Sequence, residues 1–166
     1  MINEFSPDGG RQCYFGVYPA IVTDIVDPDG IGRIEVRFPW LGEDGDADVR
    51  AWATLVSPYA DDDQGLQVLP EVDSQVVVAF EAGNLRRPYI VGATWNGQEA
   101  PPAEAEAANN IRTFKTRSGS ELEFDDTEGS SKITLKMASG HMLEMDDGGS
   151  TITLSHASGH AGCWLR

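Results

Sequence analysis

Cysteine, basic side chains and long apolar runs are all scarce in this chain, and each scarcity excludes something. Two cysteines, Cys13 and Cys163, stand near opposite ends of 166 residues, which argues against a mutual disulfide and for two separate thiols. Twelve Lys and Arg side chains face 27 Asp and Glu, for a net charge of −15. A surface of that sign repels phosphate backbones, so no nucleic-acid partner is expected. No apolar stretch approaches the roughly 20 residues of a membrane helix. The opening MINEFSPDGGRQ lacks the basic-then-apolar pattern of a leader, so export by the general secretory route is not expected.

What the chain does have is a repeat. TRSGSELEFDDTEGSSKITLK (116–136) is followed by MASGHMLEMDDGGSTITLS (137–155) and by HASGHAGCWLR (156–166). The Ser-Gly pair recurs at Ser118-Gly119, Ser139-Gly140 and Ser158-Gly159, at spacings of 21 and 19 residues. The two-residue difference falls between the Asp-Asp pair and the Ile-Thr-Leu segment, where an insertion leaves strands in phase. Leu122 and Phe124, then Ile133, Leu135 and Met137, then Leu143 and Met145, then Ile152 and Leu154 alternate with polar residues. Period two means strands with one apolar face, joined by the Asp, Gly and Ser chemistry of turns. A unit of about twenty residues cannot cover such a face alone, and a single-layer sheet has no core. The simplest cover is symmetric: identical chains turn these nine residues inward around a shared axis. Six such strands at about 4.8 Å each would stack about 30 Å high.

The charge is uneven. Residues 1–109 hold 19 acidic and 6 basic side chains, whereas residues 110–166 hold 8 and 6. Within the acidic part, residues 14–97 read as all-β. Strands are expected over Tyr18–Val26, Ile31–Phe38, Val49–Ser57, Gly65–Leu69, Gln75–Glu81 and Tyr89–Thr94, broken by Gly, Pro and Asp clusters. Five or six short strands in that length suit a small closed barrel of the OB type. Residues 98–111, rich in Ala, Glu and Pro, read as a linker to the repeat-bearing segment 112–166, and residues 1–13 as an N-terminal extension.

Three blocks carry a family resemblance: GRIEVRFPWLGEDGDADVRAWATLVSPYA (32–60), LPEVDSQVVVAFEAGNLRRPYIVGATWNG (69–97) and NNIRTFKTRSGSELEFDD (109–126). In this order they resemble the spikes of contractile injection machines, the phage baseplate assembly protein V group and the VgrG spikes. The resemblance implies a homotrimer with an OB-fold collar followed by an intertwined triple-stranded β-helix or β-prism. It further implies a tail-hub protein at the OB-fold end, a PAAR-type protein on the C-terminal tip, and transient contact with a target membrane. Assembly is then expected in the bacterial cytoplasm, in the baseplate of a virion or injection particle. Only about a dozen residues precede the barrel, so the hub is expected on another polypeptide. The short gap at residues 98–110 has no room for the lysozyme domain of T-even-type spikes.

The third repeat loses its pattern, with Gly162 at the position of Leu143 and Trp164 at that of Met145. His160, Cys163, Trp164 and Leu165 are therefore the expected docking residues for the tip protein. His156, His160 and Cys163 have ligand chemistry suited to iron or zinc, but three residues separate the histidines and no metal is expected. Asp125-Asp126 and Asp146-Asp147 match no calcium-loop spacing and read as turn carboxylates. Trp40, Trp52 and Trp95 suggest a base-stacking platform only if the charge is ignored. The reading is a structural spike with no catalytic residues and no cofactor. A tail-associated cell-wall hydrolase or an oligonucleotide-binding OB module is the alternative, the first disfavoured because no carboxylate pair sits on a pocket-forming insert.

Overall fold

The computed structural model describes residues 13–44 and 47–158. The chain divides into two compact units, with the boundary between Glu99 and Ala100. The first unit holds β1 (Val17–Asp24), β2 (Arg33–Arg37), β3 (Glu43–Asp44), β4 (Ala47–Asp48), β5 (Arg50–Leu55), β6 (Ala60–Asp61), β7 (Gln64–Gly65), β8 (Gln75–Phe80) and β9 (Pro88–Ala93). The second holds β10 (Ile111–Lys115), β11 (Glu121–Asp125), β12 (Lys132–Lys136), β13 (Met142–Asp146) and β14 (Thr151–Ser155). Helix among the described residues is limited to two short 3-10 turns, Pro39–Leu41 and Glu81–Gly83. The fold is all-β, and no helix is long and apolar enough to cross a membrane among the described residues.

Strand β8 shows how the first unit closes. Its sequence QVVVAF sends Val76, Val78 and Phe80 inward, at most 7% exposed, and turns Gln75, Val77 and Ala79 outward. Ala20 and Val22 of β1, Ile34 and Val36 of β2, and Phe38, Ala53 and Ile90 complete one core. The strands form a closed barrel in the order β1-β2-β5-β9-β8. Pairing is antiparallel except between β5 and β9, where Thr54 lies opposite Tyr89 and Leu55 opposite Ile90 in parallel. Renumbered along the chain, that order is 1-2-3-5-4, the Greek-key order of an OB-fold. Register shifts between Val22 and Asp24 and between Val77 and Val78 mark bulges, which supply the bend that closure needs.

Side chains tie the barrel's surface to this core. Trp40 stacks on Tyr18 with ring centroids 4.6 Å apart, and its Nε1 donates to the Pro19 carbonyl at 2.9 Å. Between β1 and β2, the Asp27 carboxylate accepts from the backbone N–H groups of Asp29 and Arg33 and from Arg33 Nε, each at 3.0 Å. Arg33 Nη2 donates to it as well, at 2.7 Å. These charge-assisted bonds from Arg33 hold Asp27 far below the ordinary carboxylate range and raise Arg33 in turn.

Five expected barrel strands fall within two residues of the observed ones, but Gly65–Leu69 does not form. Only Gln64–Gly65 pairs, with Ala60–Asp61, and Leu66, Val68 and Leu69 are exposed. The barrel closes through β5, β9 and β8 and leaves this apolar run no edge to join.

The second unit is a single antiparallel meander, β10-β11-β12-β13-β14. Its corners show the repeat as structure. The Thr116 N–H donates to the Ser120 carbonyl and the Met137 N–H to the His141 carbonyl, both at 2.8 Å; Gly119 and Gly140 then close back on Thr116 and Met137, both at 2.9 Å. Gly119 and Gly140 have φ of 87° and 93°, the left-handed region where a side chain costs energy. At the other end, residues 126–131 and 147–150 make the unequal turns, and both strand pairs stay in register. The six strands expected from the sequence are five among the described residues, a stack of about 24 Å at about 4.8 Å each.

Candidate assembly face

Register brings the predicted inward residues together. Phe114, Leu122, Leu135, Leu143 and Leu154 are successive cross-strand partners and form one column across all five strands. Arg112, Phe124, Ile133, Met145 and Ile152 form the next column on the same face. Eight of the nine predicted residues lie in these two columns. Met137 lies one residue past β12, in the Ser-Gly corner. Phe114 was missed because it precedes the first Ser-Gly pair and Arg112 interrupts the apolar alternation; its parity within IRTFK was the available signal.

The opposite face is polar. Its central column reads Thr113, Glu123, Thr134, Glu144, Thr153. Beside it, Lys115, Glu121 and Lys136 alternate in sign, and Lys132 Nζ meets Asp146 at 3.0 Å across β12 and β13. Opposite charges directly across strands support the register. The apolar face is the exposed one: Leu135 is 52% and Leu154 55% accessible. No described residue of this unit is among the buried hydrophobics. A sheet in water with its leucines outward is incomplete, since each such side chain is worth about 1.5–3 kcal/mol when fully buried.

The carboxylates among the remaining candidates hold turns. The Asp125 carboxylate accepts from Thr127 Oγ1 at 2.6 Å and from its N–H at 2.9 Å, bonds that hold it below its ordinary value. Asp146 accepts the Gly149 N–H at 2.9 Å and is lowered by that bond and by Lys132, whose own value Asp146 raises. Asp126 pairs with Arg112 at 2.7 Å. These carboxylates are engaged in closing turns, and no group of three or more metal-ligating side chains occurs among the described residues. His156 contacts His141 ring to ring, with centroids 4.5 Å apart, and Ser158 Oγ at 2.7 Å. His160, Cys163, Trp164 and Leu165 lie outside the described residues. Trp52 sits under the Arg33 guanidinium at 5.7 Å and Trp95 is exposed, while Trp40 belongs to the Tyr14–Tyr18–Phe80 cluster.

A closed five-stranded barrel with one parallel contact defines an OB-fold protein. Residues 18–95, which span the barrel, match the family described as the type VI secretion system/phage-baseplate injector OB domain. The chain is 29% identical over 131 residues to an actin cross-linking toxin, VgrG1, of Vibrio cholerae, a span covering 70% of this chain and 12% of that protein. It is 23% identical over 128 residues to the type VI secretion system spike protein VgrG1b of Pseudomonas aeruginosa, covering 72% and 17%. With the spike protein VgrG3 of Vibrio cholerae, 26% of 113 residues are identical, covering 64% and 11%. Over these spans the chain is similar to VgrG spike proteins, and it spans less than a fifth of their length.

Proposed function

We propose that the chain is a homotrimeric central spike of a contractile tail or injection machine. Three OB barrels form a collar that docks on a separate tail-hub protein. Three copies of the β10–β14 meander close apolar face to apolar face into a prism, the root of an intertwined β-helix directed at the target envelope. The single observation that carries this reading is a five-stranded sheet with its leucine and isoleucine columns uncovered, in one chain with an injector OB domain.

The mechanism is mechanical. Contraction of a surrounding sheath supplies force, and the prism transmits it to a membrane that it contacts only during passage. Leu122, Phe124, Ile133, Leu135, Met137, Leu143, Met145, Ile152 and Leu154 fill the shared core, and the Thr/Glu column keeps the shaft soluble. His160, Cys163, Trp164 and Leu165 receive a PAAR-type tip protein. No residue has a catalytic role and no cofactor is required. Assembly takes place in the bacterial cytoplasm before the particle acts.

Multi-angle light scattering tests the reading directly. A trimer has three times the 18.0 kDa chain mass, 54 kDa, and a monomer at micromolar concentration would overturn it.

A further inference from the structure

Asn96 and Gly97 follow β9, just before the boundary at Glu99 and Ala100. The Asn96 side chain accepts from the backbone N–H of Gln98 at 2.9 Å and from that of Glu99 at 3.3 Å. Both neighbours are donors, so the atom between them is the amide oxygen. Asn96, Gly97 and Gln98 are all exposed. Gly97 has φ of 87°, and a Cβ there would meet nothing within 4 Å, so no side chain crowds its nitrogen. Among the described residues, the Gly97 N–H donates to no acceptor.

We propose that Asn96 is a self-modification site, which converts to aspartate and isoaspartate through a cyclic imide. The Gly97 nitrogen gives up its proton to solvent and bonds to Asn96 Cγ; the Cγ–Nδ2 bond breaks, and Nδ2 takes up a proton and leaves as ammonia. Water then opens the imide. Cleavage between the Gly97 nitrogen and Cγ leaves aspartate in an unaltered backbone. Cleavage between that nitrogen and the Asn96 backbone carbonyl carbon leaves isoaspartate, with one more carbon in the chain that joins the two units. Negative charge develops on Oδ1 as the nitrogen attacks, and the Gln98 and Glu99 N–H groups already bond that atom, as the donors of an oxyanion hole do. They hold the product more firmly, since a carboxylate accepts more strongly than an amide. Asn84 supplies the contrast. Its Oδ1 accepts the Arg86 N–H at 3.1 Å in the same kind of turn, but the next residue is Leu85, whose side chain packs against the barrel core. Asn110 has its Nδ2 tied to Thr127 Oγ1 at 3.2 Å. Asn96 instead joins a polarised carbonyl to an uncrowded nucleophile. The site is independent of the trimeric reading above.

The test holds the full folded chain at mildly alkaline pH for days. Peptide mapping by mass spectrometry follows the change from amide to carboxylate at each asparagine, and released ammonia is assayed in parallel. Asn96 should react at least about tenfold faster than Asn84, Asn109 or Asn110, a difference that takes only a small part of the barrier. Gly97→Ala sets a methyl group beside the nucleophile and should slow the reaction about tenfold. Gln98→Pro removes the donor at 2.9 Å and should slow it about threefold to tenfold, the worth of one net hydrogen bond. Thermal melts of the barrel confirm that each variant is folded as the wild type is. An Asn96 that keeps its amide, or that reacts no faster than Asn84 in the unmodified sequence, overturns the proposal. A rate unchanged by Gln98→Pro overturns the part given to the two N–H donors.

Discussion

The barrel and the meander are built from the same material and solve opposite problems. Both alternate apolar and polar residues with period two, yet every buried hydrophobic residue among those described is in the barrel. β8 and β12 make the comparison concrete. Val76 and Val78 are inaccessible, whereas Leu135, in a strand of the same alternation, is 52% exposed. The barrel curls one sheet until its first and fourth strands meet, so its apolar face covers itself. The meander stays open, with β10 and β14 as edges, and its own chain leaves its apolar face uncovered among the described residues. Period two specifies that a face needs cover; closure decides whether the cover comes from the same chain.

The largest effects should separate the two units by their dependence on concentration. Leu135→Asp places a carboxylate in the central strand of the apolar face, and three of them on the dry axis of the proposed trimer are costly. Assembly should weaken at least about a hundredfold, with the barrel still folded. Light scattering with barrel fluorescence checks this, and an intact trimer would show that the inward face is assigned to the wrong residues. Ile34→Ala in the barrel, where the side chain is 1% exposed, should cost about 2–5 kcal/mol. That loss should not change with protein concentration, because the barrel core is within one chain. Thermal melts across a hundredfold dilution series measure the distinction, and a concentration-dependent Ile34→Ala loss would break it.

A smaller effect probes the corners. Gly140 has φ of 93°, and a Cβ there would meet nothing closer than Ala157 at 3.7 Å; Gly119 has φ of 87° with Ala138 at 3.7 Å. Alanine at either position is strained by its backbone rather than by contact, at about 1–2 kcal/mol. Equal shifts in melting temperature are expected, because the two corners share hydrogen bonds and neighbours. Unequal shifts would mean that the repeats are not equivalent in the assembled state.

Local pattern made most of this legible. The parity of Leu122, Phe124, Ile133 and Leu135 identified the apolar face, and Ser-Gly with Asp-Asp marked both kinds of turn. Phe114 escaped because it lies outside the repeat, with Arg112 where an apolar residue would confirm the alternation. Gly65–Leu69 misled for a different reason. Its residues suit a strand, but pairing needs a free edge, and whether one exists depends on strands distant in sequence. The order β1-β2-β5-β9-β8 and the parallel β5–β9 contact are non-local in the same sense.

The smallest effect concerns pH, and the units differ at one extreme only. Asp27 in the barrel and Asp125 and Asp146 in the meander all have lowered values in the folded state. Each therefore supports folding above the unfolded carboxylate value of about 3.9, and that support is lost as pH falls through the folded one. Both units should weaken together in acid. In alkali they should part. Lys132 is raised by Asp146, so its support is present below the unfolded value of about 10.4 and is lost as pH rises through the folded one. The barrel's matching cation, Arg33, does not deprotonate in that range. Above about pH 10.4 the meander should loosen by a small, salt-sensitive amount that the barrel does not share. Hydrogen exchange followed separately in β12–β13 and in β8 would measure it. Lys132→Gln should remove the alkaline step while leaving the acid one, since Asp125 keeps its Thr127 bonds and Asp146 its Gly149 bond. If the step survived that substitution, its source would lie outside the Lys132–Asp146 pair.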